Sequence, residues 1–145
     1  MTFNTTAEGR DTVRIGSIDI AAARSAIGRS RLTGAILVAV IIELTAATAY
    51  IHFSLGGLIF LLNALGYTAL AAAYLLVAAP VPVIGRFGWL VRAGLAGYAL
   101  LTIGAYLVIG PYFALGWIAK GIELAIIGLV IVDLLRVHAP LRVAR

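Results

Sequence analysis

Cysteine is absent from the sequence, which removes disulfides, thiolate metal sites and cysteine nucleophiles together. Histidine occurs only as His52 and His138, too few for most metal constellations. No metal, cofactor or catalytic residue is therefore expected, and the chain does not read as an enzyme. Charge is scarce as well: 12% of the residues are charged, against about 25% in a soluble domain. Hydrocarbon takes its place, with 63% hydrophobic residues over 145 positions and a mean hydropathy of +1.09. Such a composition belongs to a membrane protein. The net charge of +5 would suggest nucleic acid in a soluble chain. Here the arginines flank apolar runs, where the positive-inside bias explains them, so no nucleic-acid partner is expected.

The apolar runs set the architecture. Residues 32–53 are long enough to cross a bilayer and carry one acid, Glu43, at the middle. An acid at a helix centre costs about 2.5 to 3.5 kcal/mol on insertion, while each Leu, Ile, Val or Phe returns about 0.3 to 0.6, so the segment spans and Glu43 needs a partner. Ser54 reads as the N-cap of a second, uncharged run over residues 55–79. Pro80-Val81-Pro82 ends it, because proline cannot continue a helix. A third run covers residues 88–109 and stops at Gly110-Pro111; a fourth covers residues 118–135. The expected fold class is an all-α membrane protein, four transmembrane helices in an antiparallel up-down bundle. A tail of residues 1–31 precedes the spans and a short basic tail of residues 136–145 follows them.

Ten of the eleven basic residues fall in the two tails or around the second connection, which places both termini in the cytoplasm. The segment 112–117, rich in aromatics, then settles at the outer headgroup level. Arg24, Arg29 and Arg31, next to the first span, are the expected contact with anionic lipid at the cytoplasmic face. Ala47-Thr48-Ala49 has the form of a signal cleavage site. Against cleavage stand the length of the region before the run, thirty-one residues, and the acid within it. In the N-terminal tail, Asp19 could cap a short helix ending at Gly28, while residues 13–20 alternate nearly as well as a strand; disorder is expected before that.

Counting ~1.5 Å per residue from the cytoplasmic ends puts Glu43 and Glu123 at one depth, roughly 16 to 18 Å in. Tyr67 and Tyr98 fall near that level, and Lys120, Thr102, Thr45 and Asn63 about one turn further out. Glu43, Glu123, Lys120, Tyr67, Tyr98 and Asn63 are thus the candidates for binding an ion or proton. Three readings are open. Lys120 and Glu123, at i and i+3, form a structural ion pair that Glu43 completes. Or two acids sharing one lysine leave a carboxylate for a proton or cation. Or Glu43 faces another subunit. Asp133 and Arg136, also at i and i+3, are expected to neutralise each other. Ala69 and Ala73, Ala93 and Gly97, and Gly121 and Ala125 are small-residue pairs that suit close helix packing.

In size, four spans and the acid Glu43 in the first, the chain looks in outline like the small multidrug-resistance transporters, proton-coupled exporters of cations. Its long tail and strong orientation bias depart from them. The leading expectation is a structural or accessory subunit of a membrane assembly; the alternative is a small proton- or cation-coupled transporter. Arginine outnumbers lysine ten to one, so a bacterial plasma membrane is the expected location. Partners would be the lipid bilayer and either a second copy or a larger membrane complex.

Overall fold

The computed structural model describes residues 8–79 and 86–138, without the side chains of residues 8–19, 21–23 and 138. The Pro80-Val81-Pro82 break and the residues after His138 lie outside this description. The chain divides into two units, residues 1–35 and 36–145. Among the described residues the secondary structure is all helix: α1 (Glu8–Leu55), α2 (Leu58–Ala78), α3 (Gly88–Ile109) and α4 (Ala114–His138). Three helical stretches among the described residues are long and apolar enough to cross a membrane, Arg24–Leu55, Leu58–Ala78 and Gly88–Ile109.

In the first unit, α1 starts at Glu8 and passes through Gly28 without a break. This replaces the short capped helix and the strand expected there; the disorder expected at the start of the tail falls in part on residues 1–7, which lie outside the described residues. A single glycine inside a helix costs only about 1 kcal/mol relative to alanine, and no proline interrupts the 48 residues of α1. Arg24, Arg29 and Arg31 are exposed in this unit, and the Thr33 hydroxyl donates to the Arg29 carbonyl at 2.8 Å.

In the second unit the turn between α1 and α2 is made by Gly56 and Gly57, at φ 70° and 85°. Positive φ is open to glycine and strained for other residues, so the pair stops α1 and starts α2 within two residues. Ser54 does not cap α2; its hydroxyl donates back to the Ile51 carbonyl at 2.8 Å, because α1 still continues there. At the far end of α3, Gly110 N–H closes on the Tyr106 carbonyl at 2.9 Å and Pro111 prevents another turn. Four residues later α4 is under way. Both links are short, so α1 and α2, and α3 and α4, run antiparallel.

The helices meet along narrow seams. Each contributes to one core: Ile41 and Ala49 from α1, Tyr67 and Tyr74 from α2, Leu95 from α3, Ile126 and Val130 from α4. The buried positions recur at helical spacing, Ile41, Thr45, Thr48 and His52 on α1 and Leu95, Ala99, Thr102 and Tyr106 on α3. Leucine, isoleucine, valine, phenylalanine and tryptophan cover the outside instead, among them Leu58, Phe53, Trp89, Val108 and Leu124. Polar and charged side chains lie inside: Thr45, Thr48, His52, Thr102, Lys120, Glu123 and Asp133 are all buried. Water would reverse that arrangement, and hydrocarbon favours it. The small pairs Ala93 and Gly97, and Gly121 and Ala125, are exposed rather than packed between these helices.

Candidate functional site

Glu123 on α4 is the centre of the buried polar cluster, with no exposed surface. Lys120, one turn earlier on α4, donates its ammonium to both carboxylate oxygens, at 2.7 Å to Oε1 and 2.5 Å to Oε2. The helical i, i+3 spacing sets the two side chains together, and both are buried among the neighbouring helices. Thr102 on α3 donates to Oε2 at 3.0 Å, and the Thr48 hydroxyl on α1 lies 3.5 Å from Oε1. Thr102 has one proton, for which Glu123 and the Ala99 carbonyl compete, each at 3.0 Å. Tyr67 on α2 therefore donates to the Thr102 oxygen, 2.7 Å away. All four helices thus supply atoms to one network.

His52 completes it. Its Nδ1 stands 2.7 Å from the Thr48 carbonyl, an acceptor only, so Nδ1 carries the proton. In the neutral ring Nε2 is then a lone pair, and it faces Glu123 Oε1 at 3.7 Å. The ring is buried, packed 5.6 Å from Tyr67 and 6.3 Å from Phe60 between centroids. Tyr67 stands edge-on to Tyr98 at 4.9 Å, and Tyr98 donates to Asn63 Oδ1 at 3.2 Å. Tyr98 comes so near because position 66 is glycine; any Cβ there would meet the tyrosine hydroxyl.

A cavity of about 230 Å³ adjoins this network. His52, Asn63, Thr102 and Lys120 supply its polar wall; Phe60, Ala105, Tyr106 and Phe113 are among its apolar ones. It extends to Gly110 and Pro111 in the link between α3 and α4. The Lys120 ammonium lies 5.6 Å from the centre of the Tyr106 ring, a second favourable place for the charge beside the carboxylate.

Of the sequence candidates, Glu123, Lys120, Tyr67, Tyr98 and Asn63 come together here. Glu43 does not. It is exposed on the other side of α1 and makes no hydrogen bond or ion pair among the described residues. Glu123 instead touches Thr48 and His52, five and nine residues further along α1 than Glu43, or roughly 8 to 13 Å along the axis. The common depth of the two acids is thereby corrected: equal counts along two separate helices do not set equal levels, and the extension of α4 from Leu135 to His138 moves its end by only three residues, about 4.5 Å. Neither Lys120 nor Glu123 pairs with Glu43.

A second buried ion pair lies towards the other end of α4. Arg92 Nε on α3 donates to Asp133 Oδ2 at 2.7 Å, and the Tyr74 hydroxyl on α2 donates to the same oxygen at 2.6 Å. The arginine lies 5.6 Å from the centre of the Tyr74 ring. Asp133 is thus held from across the helix interfaces, by groups on α2 and α3. No protein-family model, curated protein or solved structure matches the chain.

Proposed function

We propose that this chain is an integral membrane protein that binds a small molecule in the cavity beside Glu123 and exchanges a proton at His52 as it does so. Its fold in the membrane is four spans with both termini cytoplasmic, in the plasma membrane of a bacterium. The inside-out distribution of polar and apolar side chains supports insertion, including that of α4, whose Lys120, Glu123 and Asp133 are buried against the other helices. The bias of arginines supports the orientation, and Arg24, Arg29 and Arg31 then face anionic lipid.

The observation that carries this reading is that a cavity ends on buried groups able to take and give a proton. A proton arriving at Nε2 turns His52 into a cation facing Glu123 Oε1. It competes there with Lys120, whose ammonium moves over the Tyr106 ring and towards the cavity. Lys120 then meets the polar end of a ligand whose body lies against Phe60 and Phe113. The volume is below the roughly 300 to 1,000 Å³ of ordinary ligand sites, which limits the occupant to a small amphiphile. Transport by a small proton-coupled carrier is the function that uses all these parts. An accessory role in a larger assembly is the second reading, favoured by Glu43 alone.

The missing cysteines supply the test. Ala105 lines the cavity, so Ala105→Cys gives one thiol there. A charged, membrane-impermeant thiosulfonate added outside intact cells is expected to modify it, while Ala39→Cys on the exposed side of α1 stays unmodified. Modification of Ala105→Cys only from the cytoplasmic side would reverse the orientation, and none from either side would remove the cavity as an entry.

A further inference from the structure

We infer that the Glu43 side of α1 docks a transmembrane helix of another protein, one that carries a lysine or arginine at the depth of Glu43. This goes beyond the cavity reading and shares with it only the assignment of α1 as a span. Glu43 lies midway along an apolar run yet is exposed, so in a bilayer its carboxylate would face hydrocarbon. The helix has a face available to bury this group, since Ile41, Thr45, Thr48 and His52 all turn inward. Glu43 stands two residues from Ile41, about 200° around the axis, and so points away from them.

The surface around the acid is shaped for a helix. Ala39, Ala46 and Ala47 flank it on the exposed side of α1, leaving room for a second backbone to approach. Just beyond, a groove of about 350 Å³ runs between α1 and α2, and Ala46, Ala49, Ala64, Thr68 and Ala71 are among the residues that line it. Leu61 and Leu65 wall the α2 side.

Charge identifies the occupant. The cations buried between these helices are already committed, Lys120 to Glu123 and Arg92 to Asp133. Arg24, Arg29 and Arg31 precede Glu43 by twelve residues or more in the sequence, outside the apolar run that holds it. A second copy about a two-fold axis on this face would bring carboxylate to carboxylate and no cation. The complementary partner brings its own positive charge, and the mid-depth basic residue is its signature.

Purified full-length protein, labelled with a fluorescent donor, can be reconstituted in phosphatidylcholine vesicles with acceptor-labelled synthetic peptides. The peptides are Leu/Ala helices of about 20 residues, identical except for Lys or Leu at the centre. The Lys-centred peptide is expected to associate about tenfold more tightly than the Leu-centred one. Glu43→Gln, which touches nothing inside the protein, is expected to equalise the two. Equal association of both peptides with the unaltered protein, or a preference that survives Glu43→Gln, would overturn the inference. So would a stable homodimer that Glu43→Gln dissociates, since a second copy would then occupy the face. Insertion itself is read separately from the labelling of Ala105→Cys.

Discussion

Lys120→Met is expected to lower the stability of the protein in detergent by about 3 to 5 kcal/mol, because it leaves Glu123 charged and buried without its cation. The remaining donors, Thr102 and the more distant Thr48, offset part of the loss but carry no charge. Adding Glu123→Gln removes the charge while keeping an oxygen for Thr102, so the double variant is expected to recover most of the stability. The interaction energy between the two substitutions is then about 2 kcal/mol or more. Glu43→Gln alone is expected to change stability by less than about 0.5 kcal/mol, and to add simply to Lys120→Met. Unfolding in a graded mixture of mild and denaturing detergent measures all of these. Coupling of Lys120 to Glu43 in place of Glu123 would return the ion pair to the first and fourth helices, as one of the three readings of the sequence has it.

Arg92→Leu is the second large effect, about 3 kcal/mol, by the same mechanism at Asp133. The pair is slightly open at its edge, with 12% of the Arg92 side chain exposed, so the loss sits at the lower end of the range for buried pairs. Tyr74→Phe takes away a hydrogen bond to the same carboxylate and is expected to cost about 1.5 to 3 kcal/mol. Arg92→Leu combined with Asp133→Leu is expected to be less destabilised than Arg92→Leu alone, since no charge is left stranded. If Arg136→Leu, and not Arg92→Leu, shows the coupling to Asp133, the pair within α4 holds the carboxylate.

The two ion pairs show which parts of the structure were legible in the sequence. Run length and the Gly110-Pro111 stop were enough to place α2 and α3 within a few residues, while the extension of α1 back to Glu8 and the longer α4 carry no such punctuation. The i, i+3 pair of Lys120 and Glu123 was legible because both residues share one helix. Asp133 has an i, i+3 partner of the same kind in Arg136, but local spacing says nothing of Arg92, forty-one residues earlier on α3. Of the three readings open for Glu43, the two that set it beside Lys120 and Glu123 differ from the structure for another reason. Depth was counted along each helix while direction around it was not, and direction decides burial. The threonines at positions 45 and 48 and the histidine at 52 recur at three and four residues, marking the inward face of α1. That signal puts Glu43 outside and His52 inside. Thr48 and His52 were the site residues that sequence reasoning passed over, and this periodicity could have found them.

Because the chain has one lysine and two histidines, nitrogen-15 labelling of these residue types resolves the cavity floor almost alone, with His138→Gln to remove the second imidazole. The spectrum of the protein in lipid nanodiscs, followed from alkaline to acid conditions, tests proton exchange at this site directly. His52 is expected to begin with its proton on Nδ1 and a bare Nε2, and the Lys120 ammonium signal to shift in step with protonation of Nε2. A proton on Nε2 from the outset, or a Lys120 signal indifferent to the state of His52, would contradict it.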